Sequence, residues 1–202
     1  MTICFDYENI YIILHSKSIY RNHYMTVFTL DELKDTITLF SAIQADFWSE
    51  NSIVALEHNN HESGCVLNVT GDQTEEIQLQ WTTVIVKNGY QEEKKFIEKS
   101  AEAISFFLCR KYTEYNVIQE SCIGTGVDYW LGYDENHQSY DPMNFFNARL
   151  EISGINNETP TNTVASRVKV KTKQTTPSDG TALPAYISIV EHSTPKAHFS
   201  KK

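Results

Sequence analysis

The stretch QEEKKFIEKSAEAISFFLCRKYT (91–113) leaves the fewest options for how this chain folds. Ile97, Ala101, Ile104 and Leu108 recur three or four residues apart, and Phe96 and Phe107 widen their stripe, so the segment predicts a helix with one broad apolar face. Such a face needs a sheet or another helix to cover it. The runs that follow, NVIQESCIGTGVDYWLG, FFNARLEISGI and AYISIVEHS, are rich in strand-forming residues and supply a sheet.

The strand runs carry polar residues in a pattern. Read as extended chain, GTGVDYWLG (124–132) places Val127, Tyr129 and Leu131 in one row with Ile123 and Thr125. Gly124, Gly126, Asp128, Trp130 and Gly132 make the other row, so Asp128 looks out over cleared space. In the next run Ala148, Leu150 and Ile152 form the apolar row, and Asn147, Arg149, Glu151 and Ser153 the polar one. The segment YDENHQSYDP between them reads as a long hairpin turn. If the two strands pair, Asp128 and Glu151 share one face of the sheet.

Residues 161–176 (TNTVASRVKVKTKQTT) alternate at period two yet also place Val164 and Val168 at i, i+4. We read a helix, because a crossover is wanted before the apolar strand AYISIVEHS, which is expected to be central. On a helix Arg167, Lys171 and Gln174 share a face; on a strand Arg167, Lys169, Lys171 and Lys173 would align. The last residues, TPKAHFSKK, read as a polar tail over 193–202.

Upstream of residue 91 the expectation is an accessory layer over 1–90, packed on the core within one domain. The first 28 residues read as one or two strands. Thr29 is placed as the N-cap of a helix running to about Phe47, with Asp31 and Glu32 in its first turn. SIVALEH, GCVLNVT and EIQLQWTTVIV then form an antiparallel meander broken by NNHES and GDQTE. Glu57, His58, His61 and Glu62 have ligand-like types, but they fall at a turn, where polar residues gather anyway.

Composition narrows the function. Cys4, Cys65, Cys109 and Cys122 form no C-x-x-C pair, and they are expected to be buried small apolar residues. No run approaches the roughly 20 apolar residues of a membrane span, and Asp6 and Glu8 make the N-terminus unlike a secretory signal, so a cytoplasmic protein without a membrane partner is expected. The net charge of −9 is uneven: residues 1–148 hold 9 Lys and Arg against 22 Asp and Glu, whereas 149–202 hold 8 against 4. The acidic body repels nucleic acid; the basic run Arg167, Lys169, Lys171 and Lys173 reads either as a solvated face or as a place where phosphates are neutralised locally.

The order helix with Glu98 and Glu102, strand with G-T-G-V-D, strand with L-E-I-S, basic helix, strand resembles the PD-(D/E)XK nuclease superfamily over about residues 91–192. The resemblance implies an α+β fold of three-layer type with a restriction-endonuclease-like α-β-β-β-α-β core. One core strand is missing unless NVIQESC is separate from GVDYWLG. It also implies that Asp128 and Glu151 hold a divalent cation, Mg²⁺ or Mn²⁺, with Glu98 or Glu102 as the helical acid and Gly126 making room for the phosphate. Ser153 stands where the superfamily has its lysine, so the positive charge must come from Lys169 or Lys171, a migration the superfamily tolerates. Arg167, Lys173 and Gln174 would line a phosphate or nucleic-acid site. The function implied is a metal-dependent nuclease, or nuclease-like subunit, acting on DNA, of the kind found in bacterial defence, with a protein partner or homodimer supplying affinity. The alternative is a non-catalytic scaffold, which the missing lysine, the acidic body and the pairs Phe47-Trp48, Tyr129-Trp130 and Phe145-Phe146 would suit.

Overall fold

The computed structural model describes residues 25–202. It is a mixed α/β fold built on one eight-stranded sheet. In chain order the elements are β1 (Thr26–Thr29), α1 (Leu33–Thr36), α2 (Ala42–His58), β2 (Cys65–Gly71), β3 (Glu75–Gln80), α3 (Glu93–Tyr112), β4 (Tyr115–Glu120), β5 (Tyr129–Tyr133), β6 (Ala148–Ile155), α4 (Val164–Gln174), β7 (Ala185–Glu191) and β8 (Lys196–Lys201). Across the sheet the order is β1-β3-β2-β8-β7-β6-β5-β4.

The helix expected over 91–113 is α3. It lies against β4, β6 and β7, and Phe96, Ile97, Ala101, Ile104 and Leu108 are buried as the stripe requires. The sheet's other face is covered by α4, whose Val164 and Val168 pack on Ile155, Ile187 and Ile189. Strands β6 and β7 are therefore enclosed on both sides. Thr163 caps α4, its hydroxyl accepting from Ser166 N at 3.1 Å while the Ser166 hydroxyl accepts from Thr163 N at 2.9 Å. The helix reading of 161–176 holds because that cap and the apolar pair outweigh the β-branched content.

From α3 onward the succession is helix, β4, β5, β6, helix, β7, with β4–β5 and β5–β6 antiparallel and β6–β7 parallel. NVIQE thus belongs to a strand of its own, β4, which is the alternative the sequence left open, and the extended reading of GTGVDYWLG fails at its first residues. Gly124 and Gly126 adopt φ of 101° and 74°, left-handed values that break an extended strand. The alternating rows begin only at Val127.

Three further expectations fail for identifiable reasons. The helix expected from Thr29 to Phe47 is interrupted: a 3-10 turn and α1 end at Ile37, and Ser41 starts α2 by accepting from Gln44 N at 3.2 Å. SIVALEH is the C-terminal half of α2 rather than a strand, so the meander is only the β2–β3 hairpin, and the third run stops at Gln80. Asn51 to Leu56 are buried on every side, which erases the helical period that would have distinguished them. Finally, 193–202 is no tail: β8 pairs with β7 and β2, with Ala197 and Phe199 buried at every second position. That strand joins the two halves of the sheet.

The strands expected in the first 24 residues lie outside the described residues, as does Cys4. Cys109 is buried and Cys65 half-buried, but Cys122 is exposed, because it sits in the β4–β5 loop and not in a strand. Of the aromatic pairs, Trp48 and Tyr129 are core, while Phe47 and Phe145 are exposed. No described helix is long and apolar enough to cross a membrane.

Candidate functional site

The site forms where β5 stops and β6 runs on. Their pairing ends at Tyr129 opposite Leu150, with Asp128 N donating to Leu150 O at 3.0 Å. The rest of β6 has lost its β5 partner. The Asp128 carboxylate covers the next free position, accepting from Ile152 N at 2.7 Å. Asp128 is thereby fixed at the mouth of the opened edge.

The polar row of β6 faces α4 and the 3-10 turn after it, and each member meets a different partner. Arg149 donates to Ser178 Oγ at 2.8 Å and to Leu183 O at 2.6 Å, which clamps the turn into β7. Ser153 accepts from Arg167 Nη1 at 3.2 Å. Between them Glu151, 0% exposed, accepts from Lys171 Nζ through Oε1, while its Oε2 is buried with no hydrogen-bond partner. Burial, and then the Asp128 carboxylate beside it, push the Glu151 carboxyl up to about 7, against the opposing pull of Lys171. The expectation that both carboxylates share a place is met, although Asp128 reaches it from a loop end.

Glu102 approaches from α3. Its carboxylate accepts from Trp48 Nε1 at 2.6 Å and Tyr129 OH at 2.9 Å, and from Lys99 Nζ at 2.8 and 2.9 Å. Burial and Glu102 hold the Tyr129 hydroxyl far above its usual range, so it stays a donor. These ties fix the carboxylate at a boundary, because Glu102 and Asp128 line two adjoining cavities. One, about 430 Å³, also takes in Glu98, Ser153, Arg167 and Lys171. The other, about 450 Å³, lies under the β4–β5 loop and reaches Gln174.

Several predicted residues fall elsewhere. Lys169 and Lys173 are exposed, since a helix turns them away from the face that carries Lys171. Glu98 stands at the rim, 3.8 Å from Lys94, rather than with the inner acids. Gly126 does not make room for a ligand: a Cβ there would come within 2.0 Å of the Gln174 carbonyl oxygen, so its bareness lets the loop sit on the end of α4. Gln174 lines the second cavity but is exposed. His61 Nε2 lies 2.9 Å from His192 O and His58 pairs with Glu93 at 3.4 Å, so the residues at the α2 end are taken up in local bonding.

The sequence pattern did not reveal Trp48, Lys99 and the Tyr129 hydroxyl as partners of Glu102. The signal for Tyr129 was available, because the residue after Asp128 faces the opposite side of its strand, toward α3.

Among the described residues no group of three or more His, Cys, Asp or Glu is gathered closely enough to hold a metal ion by itself. Two carboxylates, one with an unpartnered buried oxygen, do suit Mg²⁺, which commonly takes one or two protein carboxylates and completes its shell with water and substrate phosphate. Comparison with protein-family models, curated proteins and solved structures found no match for this chain.

Proposed function

We propose that this protein is a Mg²⁺-dependent phosphodiesterase of the PD-(D/E)XK type acting on DNA, with a restriction-endonuclease-like core over α3–β4–β5–β6–α4–β7. The observation that carries the reading is the meeting of Asp128, Glu151 and Lys171 at the opened edge of β6. Asp128 and Glu151 would hold the cation. When bound, it polarises a phosphoryl oxygen and lowers the pKa of a water.

The chain's own residues do the rest. Lys171, on α4, supplies the ammonium that Ser153 cannot, and it neutralises charge developing on the phosphoryl group. Arg167, held over Ser153 by two bonds to Asn162 Oδ1 at 3.1 and 2.6 Å, presents a guanidinium edge to the same cavity. Glu102 fixes Tyr129, and through it the start of β5 where Asp128 sits. The net charge of −9 disfavours approach to DNA, so a basic partner chain or a homodimer is the expected source of affinity, in a cytoplasmic defence setting.

A second reading, a non-catalytic scaffold, draws on a separate cavity of about 340 Å³ lined by Leu39, Ile118, Tyr140 and Phe145 beside Asn116, Asp134 and Glu135, which shares no lining residue with the two cavities at Asp128. Calorimetric titration of Mn²⁺ or Mg²⁺ into wild type and Asp128→Ala, with plasmid cleavage on the same samples, separates the two. The nuclease reading expects cation binding and cutting that both vanish in the variant. Absence of specific binding by the wild type would leave the scaffold.

A further inference from the structure

At the mouth of the second cavity the β4–β5 loop presents one aliphatic side chain entirely to solvent. Ile123 is 108% exposed, more than in an extended reference peptide, and it lines the cavity that contains Asp128 and Glu102. Gly124 beside it, at φ 101°, has no heavy atom within 4 Å of where a Cβ would stand. The tip is therefore narrow and unobstructed.

The loop beneath the tip is braced. Ser121 N donates to Asp128 O at 2.7 Å, closing the loop's base at the carboxylate residue itself. The Ser121 and Thr125 hydroxyls lie 2.7 Å apart, and the Thr125 hydroxyl donates to Cys122 O at 2.9 Å. Gly126 rests against the Gln174 carbonyl at the end of α4. The position of Ile123 is thus tied to Asp128 on one side and to the helix bearing Lys171 on the other.

We infer that Ile123 is a wedge that enters the base stack of a nucleic acid whose backbone lies across the Asp128–Glu151 site. A lone exposed isoleucine elsewhere would need no explanation. Here the side chain is branched, rigid and apolar, stands on a braced loop, and borders the carboxylates. Those are the properties by which aliphatic side chains part adjacent bases and kink a duplex. The cavity under the tip, about 450 Å³, leaves room for the displaced base or sugar beside the scissile phosphate.

The inference rests on the nuclease reading, and the test separates the two. A duplex oligonucleotide carrying 2-aminopurine is mixed with wild type, Asp128→Ala, Ile123→Ala and Ile123→Leu in Ca²⁺, and cleavage of the same duplex is followed in Mg²⁺. The wedge predicts that wild type and Asp128→Ala raise the fluorescence of the unstacked base. Ile123→Ala loses that rise and cuts about tenfold more slowly, the order of one lost base contact, while Ile123→Leu restores both. Cutting by Ile123→Ala at the wild-type rate with the fluorescence rise intact would overturn the wedge and leave the nuclease. A wild type that neither binds nor cuts the duplex would overturn both. Because Ile123 touches no core, a loss in Ile123→Ala accompanied by an unchanged melting temperature cannot be ascribed to unfolding.

Discussion

Glu151 and Glu191 lie on adjacent parallel strands, on the same face of the sheet, and are 0% and 1% exposed. They meet burial in opposite ways. Glu191 closes the β7–β8 turn: Oε1 accepts from the amide and hydroxyl of Ser193, and Oε2 from Thr194 N at 3.0 Å and Thr194 Oγ1 at 2.9 Å. Glu151 has one ammonium on one oxygen, nothing on the other, and a second carboxylate for a neighbour. A buried carboxylate whose lone pairs are all engaged specifies structure. One left short of partners, behind an aspartate and a lysine that line a cavity, is what a ligand entering between them can engage.

Removing the charge from each residue should separate the roles. Glu151→Gln is expected to lower cleavage about a thousandfold, the scale of losing a group that acts on the reacting phosphate. Its stability should stay within about 1 kcal/mol of wild type or rise, because the change relieves a crowded buried pair of acids. Glu191→Gln should do the reverse: stability falls by about 2 kcal/mol as charge-assisted bonds to the turn are weakened, and the folded fraction cuts normally. Urea unfolding of both variants beside plasmid cleavage checks this. A Glu191→Gln variant that folds fully but fails to cut would break the contrast.

His192, next to Glu191, sharpens it through pH. The ring lies 2.9 Å from Ile155 O through Nδ1 and 2.8 Å from Ser100 Oγ through Nε2, bridging the end of β6 to the body of α3. Burial lowers its pKa from 6.5 to about 4, with His61 acting in the same direction and Ile155 O and Glu191 opposing. Below 6.5 the unfolded chain gains a proton that the folded chain refuses, so stability is lost as pH falls from 6.5 to about 4, by about 3 kcal/mol. Glu151 acts with the opposite sign. Its folded carboxyl takes up a proton near 7, before the unfolded one does near 4.5, which favours the folded state as pH falls through that window. The His192 contribution is therefore read as the difference between wild type and His192→Gln in urea unfolding from pH 7 to 4. Parallel curves would exclude it.

Where a side chain's face follows from periodicity, the sequence was legible. The stripe of α3 and the polar and apolar rows of the two carboxylate strands follow from spacing of 3.6 or 2, and the burial of AYISIVEHS from its nearly continuous apolar run. It was illegible where the environment is uniform or the signal short. Buried on all sides, Ser52 to Leu56 lose their helical period, and β8 shows only Ala197 and Phe199 as its apolar positions. The glycines of the β4–β5 loop misled for another reason: a strand's empty row and a left-handed turn place the same residue at the same spacing. Within the site, Lys171 and Glu151 were named, but the tie from Trp48 to Glu102 depends on α2 and α3 crossing, which no local pattern encodes.

The smallest expected effect tests the geometry most finely. Lys169 and Lys171 differ by two positions, and on a strand both would face Glu151; on α4 only Lys171 does, while Lys169 is exposed. Lys169→Met should therefore change cleavage less than about twofold at 0.15 M salt, where an exposed charge is largely screened beyond about 8 Å. A modest weakening should emerge only at low salt, where a lost positive charge is felt on a chain of net charge −9. Lys171→Met, by contrast, should lose cutting at every salt concentration, because its ammonium lies on the buried carboxylate and is not screened. A salt-independent loss in Lys169→Met would mean that α4 rotates or unwinds when substrate binds. In that event the strand-like alternation of R-V-K-V-K-T-K would describe the bound state rather than the free one.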